Sequence, residues 1–141
     1  MYKCEYFSIE ELVPRKIYET VNDPELLWLI FDKKALTVLD YLRRDYGTCY
    51  INTWKWGGDR QYAGFRPYGT NIGAVLSQHK FGRGFDPTFE NYASEGIRQN
   101  IIENYGNGGW WDMISAIEEE VDWLHFDTRN SVEDRLIRFK P

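Results

Sequence analysis

The chain holds two histidines in 141 residues, His79 and His125, and both have acidic company. His79 lies in Ser77-Gln78-His79-Lys80-Phe81-Gly82-Arg83-Gly84-Phe85-Asp86, and His125 in Asp122-Trp123-Leu124-His125-Phe126-Asp127. A lone histidine is most often a core or surface residue with its ring nitrogens satisfied. Two histidines and a carboxylate make a different set: three nitrogen and oxygen ligands, as a catalytic zinc takes while keeping one position open for water. Gly82 and Gly84 permit the positive φ angles that would fold the segment back and aim His79 and Asp86 at one point. His125 would close the site from the opposite side, and Asp122, three residues before it, offers a general base for the water. On a regular strand Asp122 and His125 face opposite sides, so that role requires a bulge or an irregular strand start. Asp127 shares the face of His125 and is either a partner that orients its ring or a surface charge. The run Glu118-Glu119-Glu120 reads first as a solvated edge, with a direct catalytic role as the minor alternative.

The spacing of apolar side chains indicates the elements that must position these residues. Ser8-Ile9-Glu10-Glu11 is a capping-box pattern, and Pro14 separates its short turn from a second helical stretch. Asn22-Asp23-Pro24 restarts a helix, and Leu26, Leu27, Ile30, Phe31, Leu36, Leu39 and Leu42 carry its period to about Tyr46, where Gly47 ends it. The β-branched and aromatic run 48–56 predicts a strand, Gly57-Gly58-Asp59 a turn, and 61–73 a loop. Residues 92–105 return to the helical period through Ile97, Ile101 and Ile102. Local rules conflict beyond Trp110: residues 113–120 suit a helix by propensity, while 121–128 alternate like a strand. Helices first and strands mostly later predict an α+β fold, with residues 1–141 as one domain.

The pattern Ser77-x-His79-x-x-Gly82-x-Gly84-x-Asp86, followed by Asp122-Trp123-x-His125-x-Asp127, resembles the zinc D-Ala-D-Ala carboxypeptidase and L-Ala-D-Glu endopeptidase family. That family shares its fold with the hedgehog signalling domain and includes many phage endolysins. The resemblance covers roughly residues 64–129, about half the chain. It implies a hedgehog/DD-peptidase-like fold and one Zn2+ per chain, held by His79, Asp86 and His125. It implies Asp122 as the catalytic carboxylate and Arg66, in Gly64-Phe65-Arg66-Pro67, as the cation that binds substrate and steadies the oxyanion. Ser77 is implied as a hydrogen-bonding contact to the substrate or to the backbone of the site. Gly84 stands where the family has alanine, and Pro67 where it has serine. The resemblance also makes 113–120 a strand, paired with the one that carries the last histidine. The implied substrate is a peptidoglycan stem peptide, reached after cell lysis or as part of a phage particle; the alternative is a non-catalytic structural or wall-binding domain.

Composition excludes several other classes. Lys and Arg number 17 against 22 Asp and Glu, a net charge of −5, which leaves no basic face for nucleic acid binding by counterion release. The longest apolar run, Leu26 to Phe31, is far too short to span a membrane, and no apolar export signal follows Met1, so a monomer made in the cytoplasm is expected. Cys4 and Cys49 fit no metal or redox spacing and read as free thiols. Aromatic residues make up 17% of the chain, enough for a sizeable core without disulfides. Trp54, Trp56, Trp110 and Trp111 are either core residues or the wall of a groove, and nothing in the sequence separates Arg60 and Arg83 from surface arginines.

Overall fold

Apolar residues three and four apart build the central helix, α2 (Lys33–Tyr46), which buries Ala35, Leu36, Val38, Leu39, Leu42 and Tyr46 along one stripe. Asp32 caps it by accepting from the Ala35 N–H, and Gly47 ends it at φ 79°. The computed structural model describes residues 1–141. The helix expected from Pro24 to Tyr46 is broken in two, a 3-10 segment Pro24–Ile30 and then α2. The break is tertiary in origin: Phe31 is extended, and the Asp32 N–H donates to the Gly82 carbonyl at 3.0 Å. Before it lie the capping-box turn Ile9–Glu11 and the short α1 (Arg15–Thr20).

Asp40, buried on α2, accepts hydrogen bonds from Tyr2 Oη and from the Glu5 and Tyr6 N–H groups, which straps the N-terminal segment to the helix. Cys4 and Cys49 are free thiols. The strand expected over 48–56 shrinks to β1 (Cys49–Tyr50) and a 3-10 turn, Trp54–Trp56. Side chains on the loop outcompete strand pairing here. Asn52 bridges the Val13 carbonyl and the Ala63 N–H, and Trp54 Nε1 donates to the same Val13 carbonyl.

The fold is mixed α+β with small sheets. A larger sheet has the order β2 (Gly84–Phe85), β5 (Phe126–Asp127), β4 (Ala116–Glu118), β6 (Ile137–Phe139). Its first two pairings are antiparallel and β4–β6 is parallel. β1 pairs separately with β3 (Thr88–Phe89). Residues 113–120 therefore contain a strand rather than a helix, while 121–128 is strand only at Phe126–Asp127. Between β4 and β5 the chain bends through 120–123, with Glu120 at φ 61°. α3 (Ser94–Asn104) packs Ile97 and Ile101 into a core cluster of 25 buried residues that runs from Phe7 to Phe126. No helix is long and apolar enough to cross a membrane.

One residue of α3 shapes the bend. Arg98 is 2% exposed, and its guanidinium donates to the carbonyls of Glu118, Val121 and Trp123 and to the Glu95 carboxylate. Irregular backbone leaves carbonyls without ladder partners, and a buried cation with five N–H donors satisfies them. Arg98 thus fixes the segment that leads into His125.

Candidate metal centre

His79 sits in a 3-10 turn, Gln78–Phe81, closed by Gly82 at φ 66°. A Cβ at Gly82 would meet the Ile30 carbonyl oxygen at 2.1 Å, so both the left-handed backbone and the close approach require glycine. The chain then doubles back into β2 and delivers Asp86, whose N–H donates to the Ala63 carbonyl at 2.8 Å. His125 arrives immediately before β5, which pairs with β2 in the register Gly84 opposite Asp127 and Phe85 opposite Phe126. Two hairpin-like returns therefore bring three distant side chains to one point. All three are buried.

The donor atoms form a tight triangle. His79 Nε2 is 3.1 Å from Asp86 Oδ1 and 3.2 Å from His125 Nδ1, and His125 Nδ1 is 2.7 Å from Asp86 Oδ1. A tetrahedral ion with bonds of about 2.0–2.1 Å separates its ligand atoms by about 3.3 Å. The three separations approach that spacing, so the group could hold a metal ion with little adjustment.

The outer partners prepare each ligand. His79 Nδ1 lies 2.7 Å from the Gly64 carbonyl, which can only accept, so the proton sits on Nδ1 and the Nε2 lone pair faces the centre. His125 Nε2 meets Asp127 Oδ2 at 3.2 Å, and the fully buried Asp127 also takes the Arg129 guanidinium on both oxygens. Asp127 therefore orients the His125 ring, one of the two roles open to it from the sequence. Arg66 donates to Asp86 Oδ2 at 2.8 Å and to the Tyr62 carbonyl at 2.6 Å, leaving Oδ1 to the two histidines.

These contacts set the protonation states. Burial holds the His79 imidazolium below its ordinary pKa, so His79 is neutral at pH 7. Burial opposes charge on His125 too, but its hydrogen bonds to Asp127 and Asp86 outweigh that and push the group up to about 9. Burial pushes the Asp86 carboxyl up, but the hydrogen bond from His125 Nδ1 outweighs it and holds the group well below the carboxylate range. Arg66 is lowered by burial against the pull of Asp86.

A cavity of about 650 Å³ opens over the triangle. Arg66 and Ser77, both expected from the sequence, line it beside His79, Asp86 and His125. Asp122 does not. It is exposed on the bend 120–123 and absent from the cavity wall, even though the irregular strand start that its role requires is present. Trp54, Trp56, Trp110 and Trp111 also lie away from the cavity; Trp110 stacks on Trp111 and on Tyr41. Arg60 binds the Asp86 carbonyl and Thr88 from outside the cavity.

Glu118, which the sequence places first on a solvated edge, also lines the cavity, as do Trp123 and Phe139, to which sequence reasoning assigns no role. Glu118 is half-buried on β4 and not part of a solvated run. On β4 the fully buried Ile117 faces the core, so Glu118, the next residue of the strand, faces the other side. Trp123 Nε1 donates to Glu118 Oε2 at 3.1 Å, and Phe139 stands edge-on to the His125 ring with centroids 5.8 Å apart.

No protein-family model matches the chain, and neither does any curated protein or solved structure.

Proposed function

We propose that the chain is a zinc peptidase of the hedgehog/DD-peptidase-like fold that hydrolyses an amide bond in a bacterial cell-wall peptide. The carrying observation is the His79–Asp86–His125 triangle, whose three buried members line one cavity. Two neutral-nitrogen donors and one carboxylate with an open position form the ligand set of a catalytic rather than a structural zinc. The order and spacing of the residues in the sequence support the same assignment. Zinc, when bound there, supplies a Lewis acid and lowers the pKa of water.

The chain's own residues do the rest. Asp127 and the Gly64 carbonyl hold the two rings in the tautomers that face the centre. Arg66, fixed by Asp86 and the Tyr62 carbonyl, places a cation on the cavity wall where a substrate carbonyl oxygen gains negative charge. Ser77 on the same wall offers a hydroxyl to a peptide group. The protein meets its substrate at the cell wall, after release from the cell or on a phage particle.

A second reading, a structural or wall-binding domain that keeps the metal and not the chemistry, is favoured by one observation. The carboxylate that the resemblance assigns as base, Asp122, is exposed and does not line the cavity. Metal content by mass spectrometry, with His125→Ala as control, tests the centre itself: about one zinc per chain, lost in the variant, is expected. Digestion of muropeptides by the loaded protein then separates the readings. Release of a new amino terminus or of D-alanine supports the peptidase, and intact muropeptides at full zinc loading leave the binding domain.

A further inference from the structure

We infer that Glu118, and not Asp122, is the carboxylate that takes the proton of the attacking water, an inference that rests on the peptidase reading. Sheet register carries it. β4 and β5 pair with Ala116 opposite Asp127 and Ile117 opposite Phe126, and the Glu118 N–H continues the ladder to the His125 carbonyl at 3.4 Å. Glu118 and His125 are therefore directly opposed, and side chains directly opposed on antiparallel strands share a face with Cβ atoms about 4.5–5.5 Å apart. On the other side, Glu118 is in register with Phe139 of β6, the residue that stands against the His125 ring. One row across the sheet thus reads Phe139, Glu118, His125, and all three line the metal cavity.

The carboxylate is held by one oxygen only. Trp123 Nε1 donates to Oε2, while Oε1 accepts no hydrogen bond from the protein. Arg98 secures both ends of this arrangement by binding the Glu118 and Trp123 carbonyls. A free carboxylate oxygen on the wall of a cavity over a metal triangle is the geometry a proton acceptor needs. Asp122 stands on the same bend and lacks it.

The step balances without any further reactant. Water gives its oxygen to the amide carbon and one proton to Glu118. Glu118 passes that proton to the departing nitrogen as the C–N bond breaks, and a carboxylic acid and an amine leave. Nothing is oxidised or reduced, and Glu118 ends as it began.

The test uses the full chain loaded with Co2+, whose visible spectrum reports the open position, and compares wild type with Glu118→Gln and Asp122→Asn. Azide is titrated as a small anionic probe, and turnover of a wall peptide is measured in parallel. Removing a negative charge that faces the probe should tighten azide binding about tenfold in Glu118→Gln, and kcat should fall by about 10²–10⁴ with KM little changed. Asp122→Asn should match wild type in both. Glu118→Asp, which keeps the charge and withdraws it by one methylene, should hold azide affinity within about threefold while losing kcat, and it serves if the glutamine variant loses cobalt. Unchanged azide affinity and turnover in Glu118→Gln, or the losses appearing in Asp122→Asn, overturn the inference alone. A wild type that binds no cobalt, or that cleaves no peptide when loaded, overturns the peptidase reading and Glu118's role with it.

Discussion

Replacing Arg98 by methionine removes the guanidinium and keeps most of the apolar stem, so it isolates the cation's effect on the bend 118–123. Three backbone carbonyls, those of Glu118, Val121 and Trp123, lose a charged donor at once. A hydrogen bond to a charged group contributes about 1.5–3 kcal/mol. Val121 and Trp123 lie near the surface, so water can reach their carbonyls in the variant and recover part of the loss. The Glu95 contact is exposed on the acid's side and adds little. The expected cost is about 3–4 kcal/mol, a large share of the stability of a typical domain. With a urea slope of about 2 kcal/mol/M, the unfolding midpoint should fall by about 1.5–2 M at unchanged slope. Hydrogen exchange should place the loss in 118–124, because those are the residues the cation orders. Arg98→Lys, with one donor head in place of a fork, should recover only part of the difference. A midpoint shift below about 0.3 M for Arg98→Met would refute the claim that this cation holds the bend.

Metal binding to the free protein at pH 7 should release about one proton per ion, because His125 carries a proton up to about 9 while His79 and Asp86 enter without one. Calorimetry in two buffers of different ionisation enthalpy measures that number directly, and zero protons would contradict the assigned states. The metal-free protein should also lose stability as pH rises from about 6.5 to 9. The folded pKa of His125 lies above its unfolded value, so its contribution is complete below about 6.5 and gone above about 9. Thermal melts with and without metal check this, since the bound ion replaces that proton and should flatten the dependence. Gly82→Ala combines a left-handed backbone with a clash against the Ile30 carbonyl oxygen, and should destabilise by about 2–4 kcal/mol in denaturant melts. Gly84→Ala should also act on the centre. Its Cβ would sit 3.1 Å from the His79 backbone nitrogen and 3.2 Å from His125 Cε1, so both metal affinity in a chelator competition and the unfolding midpoint should drop modestly.

The candidate metal ligands were legible in the chain alone. His79 and Asp86 belong to one short glycine-bearing turn, and the residues between them limit how far apart they can end. Glycine at 82 marks the reversal locally, because only a residue without Cβ tolerates φ 66° under the Ile30 carbonyl. The α2 stripe and the Asp32 cap were legible for the same reason, since a helix is encoded within a few residues of itself. Arg66 and Ser77, which the resemblance implies as substrate contacts, line the same cavity.

Which carboxylate faces the cavity, by contrast, could be learned only from the folded chain. Asp122 and Glu118 are both acidic, both near His125, and neither carries a local mark of its direction. The outcome depends on a strand register between β4 and β5 and on a bend held by Arg98 from α3, about twenty residues away in sequence. The strand over 48–56 and the single helix over 24–46 failed on the same ground. Asn52 and Trp54 reach back to Val13, and Asp32 reaches forward to Gly82, so contacts distant in sequence override local propensity. A sequence states which groups are available. Which of two like charges lines the cavity is settled by hydrogen bonds between segments that the sequence keeps far apart.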